Sequence, residues 1–141
     1  VDTIKVLDLA RKITLLSTRK IFWIWLAALI FMNTYPFGES TSVVLSGNKL
    51  IFRLDYLLHA TLILVFAWVY VWGRIRNENA FHDYEVFWVI AISLFSAVCL
   101  EGIQVFLPYR KFNPLDMLSN VIGALTGSLV ILLSYRISLS K

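Results

Sequence analysis

Four apolar runs organise the chain, over residues 21–37, 55–72, 84–107 and 115–135. Each comes close to the roughly 20 residues that a membrane-spanning helix needs. The first is apolar through Met32 and ends in Asn33, Thr34, Tyr35 and Pro36, where Pro36 and Gly38 stop a helix and Tyr35 suits an interface. Residues 38–54 are rich in turn formers around a small apolar patch at 43–45, as in a surface hairpin or lid. The second run carries one ionisable interior residue, His59, and gives way at Gly73 to a polar loop through Asn79. The third starts at Tyr84 or Val86 and is closed by Pro108. Only a tight turn fits before Pro114, so the third and fourth runs form an antiparallel hairpin.

Ahead of these runs, Lys5, Arg11, Lys12, Arg19 and Lys20 alternate with Ile4, Leu7, Ile13 and Leu16 at near-helical spacing. That pattern predicts a basic amphipathic helix over residues 1–20, lying on a membrane surface. A cleaved signal peptide fits less well, because no small-x-small site follows the apolar run. The expected organisation is therefore an interfacial segment (1–20), a four-span membrane domain (21–135) and a short tail (136–141). The fold class is all-α, an integral membrane four-helix bundle.

Composition agrees with this reading. Of 141 residues, 59% are hydrophobic, 15% aromatic and 16% charged, and the mean hydropathy is +0.74, outside the soluble range. The single cysteine, Cys99, lies in an apolar run and excludes an internal disulfide or a thiolate metal cage. A net charge of +4 points to lipid headgroups and topology, because the cations flank apolar runs and form no face that would suit a nucleic acid. Nine of the 13 Lys and Arg fall before the first run, after the second and after the fourth; Lys49, Arg53, Arg110 and Lys111 fall on the other side. The positive-inside rule then places both termini in the cytoplasm of a bacterial cell, with a multi-pass protein in the inner membrane.

With that topology, scattered polar residues converge. Asp55 and His59 lie one turn apart at the outer end of the second span, Glu101 and Gln104 near the outer end of the third, and Asp116 and Asn120 one turn apart at the start of the fourth. Two layers are expected: a rim of Arg53, Asp55, Arg110, Lys111 and Asp116, and a deeper layer of His59, Glu101, Gln104 and Asn120. A carboxylate in hydrocarbon costs about 2.5–3.5 kcal/mol on insertion scales, so Glu101 must face other helices and find donors. A Glu101–His59 pair is placed to share one mobile proton. Ser119, Gly123 and Gly127 form a small-xxx-small row for close approach of the second or third span. Each feature has a plainer reading: His59 as a structural hydrogen-bonding residue, Asp116 as a helix cap, the glycines as ordinary packing.

In these residues the chain resembles the VanZ-like family of small bacterial membrane proteins. The similarity rests on Glu101-x-x-Gln104, Pro108-x-Arg110, Asp116-x-x-x-Asn120-x-x-Gly123-x-x-x-Gly127 and the upstream Asp55-x-x-x-His59. The chain departs from that pattern at Tyr56, where the family has a lysine, and at Ala60, where an aromatic is common. The resemblance implies four membrane helices and, for the family's namesake, low-level teicoplanin resistance.

Three functions compete. The first is an accessory protein that binds an anionic envelope lipid or glycolipid, with Arg53, Asp55, His59, Glu101, Gln104, Arg110, Asp116 and Asn120 as ligand-binding residues. The second is a structural subunit of a larger membrane protein complex. The third is an intramembrane enzyme with His59, Glu101 or Asp116 as catalytic candidates; no serine or cysteine is spaced for a covalent mechanism, so enzymatic activity is the least favoured. No cofactor is expected. A hard cation held by Asp55, Glu101 and Asp116 lacks any ligand-spacing signature, so no metal site is assigned.

Overall fold

The structure is a computed structural model that describes residues 16–35, 54–108 and 112–140, the side chains of residues 54 and 55 apart. The expected amphipathic helix before residue 16, the loop over 38–53, and Arg53, Arg110 and Lys111 lie outside the described residues. Among those described there are four α-helices and no strand: α1 (Thr18–Thr34), α2 (Leu54–Arg76), α3 (Glu85–Gln104) and α4 (Pro114–Leu139). Three of them, α2, α3 and α4, are long and apolar enough to cross a membrane. The fourth expected span, α1, has 17 residues, about 25 Å at 1.5 Å per residue.

The helix ends depart from the sequence pattern for local reasons. α1 begins at Thr18, inside the segment expected to lie on a surface, because a residue far along the chain caps it. Ser17 makes no side-chain cap; instead the Thr18 amide and hydroxyl both donate to Glu78 Oε2, at 2.9 and 3.0 Å. Arg76 completes this clasp, donating to Glu78 Oε1 at 2.8 Å and to the Leu16 carbonyl at 3.4 Å. α2 runs on through Gly73 to Arg76, where a polar loop was expected. A Cβ on Gly73 would lie 2.7 Å from both the Glu78 carbonyl oxygen and Thr18 Cγ2, so this glycine permits close approach and does not break the helix. The stop comes at Asn77, with a φ of 52°.

α3 ends at Gln104, short of Leu107. Beyond it the amides of Val105, Phe106 and Leu107 bond to carbonyls three residues back, the tightened geometry of a final 3₁₀ turn. α4 opens on Asn113, whose side chain accepts from the Leu115 amide at 3.1 Å, with Pro114 in the first turn. Asn113 therefore does the capping that a plain reading gives to Asp116.

Each helix buries one stripe, and the stripes define the packing. α2 packs most extensively against α4, α3 also packs on α4, and α1 covers α2 and α3. Toward the start of α1, Phe22 meets Phe66 of α2 and Phe81, both at ring separations of 5.1 Å. Trp25 donates to the Leu62 carbonyl at 3.2 Å. The outward faces carry large apolar side chains such as Trp68, Phe87, Leu129 and Phe95, the last 71% exposed. The buried stripes hold Asn33, Ser93, Ser96, Glu101, Gln104, Asp116 and Asn120. Large apolar side chains on the outward faces, with polar groups turned in among a mainly apolar core, form an arrangement that hydrocarbon tolerates and water does not.

The clasp makes stability at the start of α1 pH-dependent. Hydrogen bonds from the Thr18 amide and hydroxyl, then the Arg76 charge, hold the Glu78 carboxyl below its ordinary value of 4.5. A carboxylate with a depressed folded pKa contributes stability above its unfolded pKa and loses it as the pH falls through the folded one. Hydrogen exchange of the Thr18 and Ile21 amides, bonded to Glu78 and to the Ser17 carbonyl, should therefore accelerate as the pH is lowered below about 4.5, relative to the intrinsic rate. The Glu78→Ala variant should show that fast exchange at neutral pH.

Candidate functional site: a histidine between two carboxylates

At the end of the helices where α1 and α3 finish and α2 and α4 begin, five of the sequence-selected residues meet. The α3 stripe ends with Glu101 and Gln104, and the α4 stripe begins with Asp116 and Asn120. Both pairs have helical spacing, i,i+3 and i,i+4, so each pair shares a face. His59, near the start of α2, stands between them.

Glu101 is the centre of the cluster, with 0% exposure. Its Oε1 accepts from Gln104 Nε2 and from Asn120 Nδ2, each at 3.3 Å, and lies 3.5 Å from His59 Nδ1. One carboxylate oxygen thus gathers two amide donors, from α3 and α4, with the imidazole of α2 close by. The other face of the imidazole looks toward Asp116, with Nε2 4.0 Å from Oδ2. The side chains of His59 and Asp116 remain 16% and 12% exposed. Glu101, Gln104 and Asn120 are sealed from outside, whereas His59 and Asp116 can be reached.

Asp116 therefore belongs to the deeper layer and not to the rim where the sequence put it. It shares its stripe with Asn120 and turns inward in the first turn of α4. Asp55 lies within α2, with only its backbone described, and Arg53 and Arg110 lie outside the described residues. Of the small-residue row, Gly123 and Gly127 pack on α2, against Ala60 and against Ala67 and Leu64 respectively. Ser119 donates to the Leu115 carbonyl of its own helix.

One member of the network escaped the sequence reading. Asn33, buried at the end of α1, donates to the Leu29 carbonyl at 3.0 Å and accepts from Gln104 Nε2 at 3.4 Å. With it, all four helices contribute to a single polar cluster: hydrogen bonds join α1, α3 and α4, and His59 of α2 stands 3.5 Å from Glu101. The available signal was an amide four residues after Leu29 on the buried stripe of an apolar helix; it reads equally as the polar end of a span.

The chemistry open to this arrangement is polar recognition. His59 stands between two carboxylates, 3.5 Å from Glu101 Oε1 and 4.0 Å from Asp116 Oδ2, so its ring is oriented from within and can meet a ligand's hydrogen-bonding groups. Among the described residues no three His, Cys, Asp or Glu side chains are placed to hold a metal ion.

A family model described as VanZ/LLP1 matches residues 10–135. The chain belongs to the VanZ/LLP1 family. That match takes in α1, α2, α3 and most of α4, so every residue of the cluster lies within the VanZ/LLP1 region. No curated protein and no solved structure gives a significant match.

Proposed function

We propose that this VanZ/LLP1 protein is a multi-pass membrane protein that binds the headgroup of an anionic envelope lipid or glycolipid in an accessory role. The carrying observation is the division of the cluster into a sealed half, Glu101, Gln104 and Asn120, and a reachable half, His59 and Asp116. The sealed half orients the imidazole; the reachable half presents a ring N–H and a carboxylate to hydroxyl groups of a ligand. Arg53 and Arg110, close in sequence to the ends of α2 and α3, supply the charge that a phosphate or carboxylate needs. α1 completes a four-span bundle: it runs antiparallel to α2 and brings Asn33 to the same layer as Gln104. The charge distribution favours cytoplasmic termini in an inner membrane, with the cluster facing out.

Topology is the first test. A cysteine introduced by Lys111→Cys should react with an impermeant thiol reagent added to intact cells; protection from outside and labelling from within would reverse the orientation. Binding comes next. Native mass spectrometry of the extracted protein should find a lipid-sized adduct, reduced at least tenfold in occupancy by Arg110→Ala. Equal retention by that variant would remove the phosphate clamp.

A second reading has its own support, because full burial of Glu101 with a bond from Asn120 of α4 and the His59 ring of α2 beside it suits a lock that holds the helices in register. In that reading the protein is a structural subunit of a larger membrane assembly, and extraction would bring it out in one large complex with no lipid adduct.

A further inference from the structure

A cavity with a mostly apolar lining and a few charged and polar groups opens at the opposite end of the helices, and nothing in the cluster around Glu101 uses it. It has a volume of about 510 Å³ and is lined by Tyr70 and Arg74 of α2, Asn79 and His82 of the connecting loop, Glu85 at the start of α3 and Tyr135 of α4, with three further side chains. Tyr70 lies eleven residues from His59, roughly 16 Å along α2, so the two sites are separate.

Tyr70 is the second observation. It is 2% exposed, and its hydroxyl has no hydrogen-bond partner among the described residues. Buried hydroxyls almost always have one, and the cavity that Tyr70 lines is the place from which a partner can come. Arg74 supplies a cation and Glu85 an anion at the same cavity. Glu85 Oε1 accepts from the Ala80 amide at 2.6 Å, and the Phe81 amide also bonds to this carboxylate; together they fix it at the cavity, where its remaining lone pairs can accept from a ligand. Tyr84, Phe87 and Tyr135 add the aromatic lining found at a membrane–water boundary. The cavity size is that of a small-ligand site.

We propose that this cavity is a binding site for a zwitterionic phospholipid headgroup carrying a primary ammonium: the phosphate bonds to Arg74 and the Tyr70 hydroxyl, and the ammonium to Glu85. A purely anionic headgroup would leave Glu85 facing a like charge, and a choline headgroup offers no N–H to donate. The proposal rests on membrane insertion alone and is independent of the headgroup site at the other end.

The test is lipid titration of the full chain in detergent, followed by native mass spectrometry. Dioleoylphosphatidylethanolamine should bind at least fivefold more tightly than dioleoylphosphatidylcholine or dioleoylphosphatidylglycerol. Glu85→Gln keeps the acceptor for the Ala80 amide, so it preserves the turn; it should abolish the preference for ethanolamine. Tyr70→Phe removes only the hydroxyl and should weaken binding several-fold with unchanged helicity. Arg110→Ala should leave this preference intact, which separates failure here from failure of the other site. Equal binding of the three lipids, or a preference that survives Glu85→Gln, would overturn the assignment. Competition by O-phosphoethanolamine at concentrations equal to the lipid would also overturn it, by assigning the cavity to a soluble phosphorylated amine.

Discussion

Glu101→Leu is expected to destabilise the protein by roughly 2–4 kcal/mol, a figure built from the donors it would strand. Asn120 Nδ2 loses its partner, Gln104 keeps only the longer bond to Asn33, and His59 loses the carboxylate at Nδ1. A buried donor left without an acceptor costs about 1–3 kcal/mol in a protein interior, while bonds between membrane helices measure about 0.6–2 kcal/mol, which is why the lower half of the range is adopted. Glu101→Gln keeps an oxygen where Oε1 lies and should cost less than about 1 kcal/mol. Thermal unfolding in detergent, followed by far-ultraviolet circular dichroism, measures both. If glutamine proved as damaging as leucine, the carboxylate charge itself would be what the helices require, and the hydrogen-bond lock would be the wrong account.

The second large effect lies at Gly123. A Cβ there would collide with the Ala60 carbonyl oxygen and come within 2.9 Å of both its carbonyl carbon and its Cα. Backbone cannot rotate aside as a side chain can, so α2 and α4 would have to separate. Overpacking of this kind costs typically about 1–3 kcal/mol, outweighing the roughly 1 kcal/mol that alanine gains over glycine in a helix. At Gly127 the added carbon would meet Ala67 Cβ at 3.3 Å and Leu64 Cδ1 at 3.5 Å, contacts that yield by small shifts. Gly123→Ala should therefore lower the unfolding midpoint clearly and Gly127→Ala should leave it near the parent value. Because Ala60 adjoins His59, Gly123→Ala should also displace the imidazole from Glu101, visible as a change in the His59 ring resonances. Equal tolerance at both glycines would mean that the two helices are not in this close register.

These two experiments show which parts of the molecule local pattern can disclose. Apolar runs bounded by Pro36, Gly38, Pro108 and Pro114 disclose helices, because hydropathy and backbone geometry act within a few residues. Helical spacing puts Glu101 with Gln104 and Asp116 with Asn120, and the short connection between α3 and α4 brings those pairs to one end. The family likeness was legible in the same residues, since it consists of spacings along the chain.

What escaped depends on partners distant in sequence. The start of α1 follows from Glu78, sixty residues away, and nothing around Thr18 announces that cap. Gly73 reads as a helix stop until Thr18 and Glu78 are seen pressed against it. Asn33 looks like the polar end of a span until Gln104 is placed beside it. Asp116 looks like a cap until Asn113 takes that role and frees it to face His59.

The sequence by itself determined the helical, apolar character of the chain, the grouping of polar residues by helix face, and membership of the VanZ/LLP1 family. Only the tertiary structure decided that Glu101 is sealed while His59 and Asp116 are reachable, and that Tyr70, Arg74 and Glu85 share a second cavity. Periodicity sets which way a side chain points from its own helix axis. What it meets there depends on the rotation and separation of the helices, set here by small residues such as Gly123 and by bonds between distant groups.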